Sequence, residues 1–183
     1  MKTYVLMVST SFPATHKLRA GEPTEFVQKI KDKIKIHTIR ENYALWSARI
    51  DDVMMWEAEL SVRVWSGKPY RSKQVEVLRL TANEVNIEVL QLREIEGEKI
   101  AFIGNQQVDL EAIAKNDGLS MEDFNEWFKG MKLGHDYAII HFSGNRYFPK
   151  SIISRYFDYV KQWEKAMESI FSKQISQLKK QKS

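Results

Sequence analysis

Along this chain, short runs of alternating apolar and polar residues outnumber runs with a helical period. Residues 3–10 (TYVLMVST), 58–65 (AELSVRVW), 73–81 (KQVEVLRLT), 85–94 (VNIEVLQLRE) and 99–104 (KIAFIG) are rich in β-branched residues and read as strands. YAIIHF (137–142) is apolar except for its histidine, the pattern of a strand central in a sheet. IKIHTI (34–39) alternates too, with Ile34, Ile36 and Thr38 on one face and Lys35, His37 and Ile39 on the other. If the strand continues, Arg40 returns to the Thr38 face, and a bulge after His37 would bring Lys35 and Thr38 together.

Helical patterns fall between and after these strands. Thr24 is a good N-cap for a helix over 25–33, with Phe26, Val27 and Ile30 as its apolar stripe. Residues 43–53 form a short, imperfect helical stretch. Asp109 caps a helix over 110–115, and Asn116-Asp117-Gly118 is a stop signal. Ser120 opens a capping box in which Asp123 takes the usual glutamate's place, starting a helix that runs to about 129. From about residue 150, Tyr156, Val160, Trp163, Met167, Ile170 and Leu178 repeat with a near-3.6 period, which predicts one long helix. Residues 11–23, with Pro13 and Pro23, read as a loop, and SGKPYRS (66–72) as a turn.

These elements predict an α+β fold: a small mixed β-barrel over 1–148 with antiparallel-compatible strands and peripheral helices. Residues 149–183 form the long C-terminal helix. Its apolar stripe must be covered, by the barrel or by a second copy in a homodimer, and a lysine-rich tail follows.

Composition narrows the chemistry more than the fold. With no cysteine among 183 residues, disulfides, a thiolate nucleophile and cysteine-based zinc sites are excluded, and a reducing cytoplasm is the expected location. No apolar run approaches the roughly 18 residues of a membrane span, and the opening MKTYVLMVSTSF alternates as a strand does, not as a leader peptide does. Four scattered histidines without i, i+4 pairing predict no metal, and the absence of phosphate-binding or dinucleotide glycine motifs predicts no cofactor.

The net charge of +4 resides in the tail lysines Lys173, Lys179, Lys180 and Lys182, so residues 1–172 are neutral overall. Within them charge is segregated. Residues 1–83 carry 14 basic and 9 acidic side chains, and 84–136 carry 5 and 12, which predicts one positive and one negative face.

Three places carry candidate chemistry. In the KIHTIR segment, a bulge would set Lys35 beside the Thr38 hydroxyl, and a lysine whose pKa is lowered by burial can deprotonate a hydroxyl. The same residues also suit a hairpin edge with solvated charges. In WSGKPYRSK (65–73), Lys68, Tyr70, Arg71 and Lys73 surround a turn beside Trp65, a mixture that suits base stacking with phosphate contact, or a hairpin whose Trp65 and Tyr70 pack on each other. Trp46, with Arg49, follows KIHTIR closely and either covers the same pocket or joins the core.

Residues 24–40, T-x-F-x-x-x-I-x-x-x-I-K-I-H-T-I-R, resemble the signature of the ASCH family: a helix, a basic turn, then K-x-x-T-I-R. AKNDGLSMEDF (114–124) is similar to the stretch before a later ASCH helix, and YAIIHF to the closing strand, so the resemblance spans about residues 24–142. It implies a PUA-like β-barrel that binds RNA or a modified nucleoside, with Arg40, Trp46, Lys68, Tyr70, Arg71 and Lys73 as candidate contacts. One ASCH branch removes the acetyl group of N4-acetylcytidine with a lysine, a threonine and a glutamate. That set falls on Lys35, Thr38 and Asp117, the last shorter by one methylene and equally a helix-stop residue. Binding of RNA or nucleoside, amide hydrolysis, and assembly through the C-terminal helix are the three resulting functional expectations.

Overall fold

In the computed structural model, described for residues 1–144, 146–148, 167, 168 and 171, the strands lie in two sheets. Of the expected C-terminal helix over 149–183 only 167, 168 and 171 are described, all three helical, and its length, its packing and any dimer through it fall outside the described residues. The chain divides into two compact units, Met1–Tyr147 and Phe148–Ser183, and the first contains every strand and helix named below.

The first sheet has three strands: β1 (Lys2–Met7), β3 (Ala58–Trp65) and β4 (Gln74–Leu80), in the order β1-β3-β4. The expectation of antiparallel pairing fails at its edge, where β1 runs parallel to β3, with Lys2 opposite Ala58 and Met7 opposite Arg63. A parallel pair needs a long crossover between its strands, and residues 8–57 supply one. The second sheet combines β2 (His37–Arg40), β8 (Tyr137–His141), β5 (Asn86–Ile95), β6 (Glu98–Ile103) and β7 (Gln106–Val108) in that order, antiparallel throughout. β8 is buried at all five positions and paired on both sides, as its apolar run predicts. β7, three residues long, was not legible in the sequence.

Among the described residues the sheets do not close into the expected barrel. Where β2 approaches the end of β1, a side chain spans the gap: the Arg40 guanidinium donates from Nη2 to the Met7 carbonyl.

Four helices flank the sheets: α1 (Phe26–Lys31), α2 (Tyr43–Met54), α3 (Leu110–Asn116) and α4 (Met121–Trp127). Asn42, Asp109 and Ser120 cap α2, α3 and α4, each accepting a backbone N–H. At α1 the cap sits one residue off expectation. Glu25 takes a left-handed conformation, and Thr24 Oγ1 accepts from Phe26 N at 3.3 Å. Leu60, Leu90, Ile50, Ile113, Phe124 and Ile139 are among the side chains fully or almost fully removed from water, so the core spans both sheets and three helices.

Two local departures set up the site. β2 begins at His37, three residues later than the alternation implies. The chain is still finishing α1 at that point: Ile34 N and Lys35 N both donate to the Lys29 carbonyl, and Ile36 N donates to Asn116 O. Lys35 therefore points where the end of α1 aims it. The β2–β8 ladder itself is regular from His37 to Arg40, with no bulge.

Candidate functional site

Lys35 is the largest of the fully buried side chains, 1% exposed. A buried ammonium is tolerated only where its protons find acceptors. Lys35 Nζ donates to both the carbonyl and the Oδ1 of Asp117, each at 2.7 Å, and lies 4.2 Å from the centre of the Phe26 ring.

Asp117 combines the two roles its sequence allows. It is the C-cap of α3, and it holds the lysine. Gly118 follows in the left-handed region at φ +76°, the helix-stop conformation predicted from Asn-Asp-Gly. A Cβ there would stand 3.1 Å from Lys35 Cβ and 3.3 Å from Lys29 Cδ, so glycine also admits the two lysines. Lys29 Nζ completes the arrangement by donating to Gly118 O at 2.9 Å.

Lys35 thus sits on the Asp117 carboxylate with Arg40 and Lys29 near enough to act on its own charge, and this crowding of cations shows in its proton affinity. Burial pushes the Lys35 amine down from 10.5 to about 8, helped by the nearby Arg40 and Lys29 charges and opposed by Asp117. Burial alone would raise the Asp117 carboxyl, but Lys35 and His37 outweigh it and the net displacement is downward.

A cavity of about 320 Å³ opens beside this pair, the lower end of the range for small-molecule sites. Thr38, Arg40 and Asp117 supply its polar surface. Phe26, Trp127 and Phe128 form an aromatic wall, and Trp65, Pro69 and Tyr70 of the β3–β4 turn line it as well. Thr38 is 3% exposed, and its Oγ1 accepts from Arg40 Nη1 at 2.8 Å. Arg40 Nη1 also donates to the Ile39 carbonyl at 2.6 Å.

The expected site residues divide clearly by position. Thr38, Arg40, Tyr70 and Asp117 line the cavity, and Lys35 lies behind its wall through Asp117. Trp46 is 9% exposed in α2 with Arg49 stacked 4.9 Å over it, in the core and outside the cavity lining. Lys68, Arg71 and Lys73 are exposed on the turn and do not line the cavity. Trp65 and Tyr70 do pack on each other, rings 5.3 Å apart, and both still face the cavity.

Sequence reasoning missed the aromatic wall from the end of α4 and the surroundings of His37. An adjacent Trp127-Phe128 pair at a helix end was the available signal for the wall. His37 and His141, dismissed for lack of helical pairing, are register partners across β2 and β8, with rings 5.7 Å apart. No group of three metal-ligating side chains occurs among the described residues, and no helix there is long and apolar enough to cross a membrane. In comparisons with known proteins, the chain matches no family model, no curated protein and no solved structure.

Proposed function

We propose that this is an ASCH-type, PUA-like domain whose cavity holds a nucleobase, offered by RNA or as a nucleoside. The observation that carries the reading is one cavity lined both by aromatic side chains and by Thr38, Arg40 and Asp117. Flat rings supply stacking area, worth about 1–3 kcal/mol per base. The Asp117 carboxylate accepts an N–H from a base edge, and the Arg40 guanidinium donates to a ring carbonyl or nitrogen. The exposed Lys68, Arg71 and Lys73 beside Tyr70 would meet a sugar-phosphate backbone at the lip.

Amide hydrolysis of an acylated cytidine is the second reading. It is favoured by Lys35, with its pKa of about 8, held against Asp117 at 2.7 Å. In that reading the neutral amine would take the Thr38 proton as Oγ1 attacks the acyl carbonyl and pass it to the cytosine amine as the C–N bond breaks, and water would then release the acyl group from Thr38 as the carboxylic acid. Binding ranks first because the partner of Thr38 Oγ1 is the donor Arg40, whereas an activated hydroxyl needs a base within hydrogen-bond reach.

Tryptophan fluorescence tests the first reading, since Trp65 and Trp127 both line the cavity. Titration with cytidine, adenosine, guanosine and uridine should give saturable quenching for at least one, reduced in Trp127→Phe. Absence of saturation across that panel and a short single-stranded RNA would reject it. Turnover of N4-acetylcytidine by the wild type, abolished in Lys35→Ala, would promote the second reading instead.

A further inference from the structure

Beside the cavity, but outside its lining, a partly buried polar cluster joins four elements through one side chain. Tyr147, six residues past the end of β8, completes a triangle of rings with His37 and His141, 5.7 Å from each. Its hydroxyl is 2.8 Å from His37 Nε2 and 2.8 Å from Asn116 Nδ2. Its backbone N–H donates to Glu88 Oε2 at 2.9 Å, the oxygen that also lies 2.7 Å from His141 Nε2.

We propose that Tyr147 sets the tautomer of His37 and, through it, orients the Asp117 carboxylate toward the cavity. The Asn116 amide nitrogen can only donate, so the Tyr147 oxygen accepts there. Among the described residues the other neighbour of that oxygen is His37 Nε2, and we assign the hydroxyl proton to that contact, the direction in which the hydroxyl both accepts and donates. His37 therefore carries its own proton on Nδ1. That atom is buried, has no hydrogen-bond partner among the described residues, and faces Asp117 Oδ1 over 3.6 Å.

A closure of about 0.5 Å would make this contact a hydrogen bond. The opposite tautomer would aim a lone pair at the carboxylate and strand the hydroxyl proton. Burial supports the neutral forms this requires, lowering the His37 pKa and pushing Tyr147 up to about 12. With Oδ1 bonded to Lys35 and faced by His37, Oδ2 is the oxygen left for a ligand. Tyr147 and His37 are thus positioning residues. Their effect on ligand rests on the cavity reading above; their effect on each other does not.

The test is a ¹⁵N–¹H correlation spectrum of the imidazoles of the full chain at neutral pH. His37 should be the neutral Nδ1–H tautomer in the wild type and lose that preference in Tyr147→Phe, which keeps the ring. An Nε2–H or imidazolium His37 in the wild type, or an unchanged tautomer in the variant, would overturn the proposal. Cytidine and adenosine titrations supply the second readout. Tyr147→Phe should weaken binding roughly fivefold, the scale of one neutral hydrogen bond. His37→Asn, which keeps a donor near the Nδ1 position, should bind better than His37→Ala. Equal binding by those two variants would remove His37 as the link. Absence of binding by the wild type would defeat the cavity reading and leave the tautomer result to stand or fall by itself.

Discussion

The KIHTIR floor and the β3–β4 turn both read as basic in sequence, yet they use charge in opposite ways. On the floor, Lys35 is buried and bound to two acceptors of Asp117, and Arg40 is bound to Thr38, Ile39 and Met7. On the turn, Lys68, Arg71 and Lys73 are exposed and form no ion pair with the described residues. Charge in a low-dielectric setting is coupled to folding, whereas solvated charge chiefly affects encounter with a ligand and responds to salt. Stability should therefore depend on the floor and salt-sensitive affinity on the turn.

The strongest way to break this contrast is to remove one member of the buried pair. Lys35→Met leaves the Asp117 carboxylate without its cation and should cost about 3–5 kcal/mol in chemical denaturation. Lys35→Met combined with Asp117→Asn carries neither charge and should recover most of that loss. A double variant as unstable as the single one would mean that packing, not charge, decides.

Gly118→Ala should cost about 1–2 kcal/mol, since it forces a side chain into the left-handed region and against Lys35 Cβ at 3.1 Å. A melting temperature unchanged from wild type would show that the turn relaxes freely.

The pH dependence sharpens the comparison further. With the Lys35 pKa at about 8 in the folded state and 10.5 as its ordinary value, the unfolded chain holds more protons between those limits. The Lys35 contribution to stability therefore rises with pH from about 8 to 10.5. Asp117 works at the other end. Its lowered pKa gives stability that is present above 3.8 and lost as pH falls through the folded value. Urea unfolding at pH 7.5 and 10 should show the alkaline rise in the wild type relative to the uncharged double variant. Parallel curves would contradict the shift.

The smallest effect on stability belongs to the turn. Lys68→Ala, Arg71→Ala and Lys73→Ala together should change stability by less than about 0.5 kcal/mol. The slope of single-stranded RNA affinity against salt should fall by roughly 0.7 for each phosphate that the turn no longer neutralises. An unaltered slope would separate the turn from the ligand.

What the sequence made legible were features whose cause is local. β3 occupies residues 58–65 as read, because its apolar residues alternate, with Ala58, Leu60, Val62 and Val64 all buried. Gly118 stops α3 because its conformation suits few other residues. The grouping of Lys35, Thr38 and Asp117 comes from a resemblance, and the fold brings Lys35 and Asp117 into contact across 82 positions. Alternation misleads at Lys35, which it assigns to a strand, since the hydrogen bonds ending α1 govern the backbone there. Tyr147 was invisible for a different reason. Its bond to His37 spans 110 positions, and spacing carries no signal for a contact between a strand and a segment that far away. The same holds for the parallel pairing of β1 with β3.

The central claim is that the cavity over the Lys35–Asp117 pair receives a base. Calorimetric titration of the wild type and Asp117→Asn with the four nucleosides tests it most directly. One saturable site is expected in the wild type, with affinity reduced about tenfold or more in Asp117→Asn, the scale of a charged hydrogen bond. Saturable binding of equal affinity in both proteins, or no binding to the wild type, would contradict it.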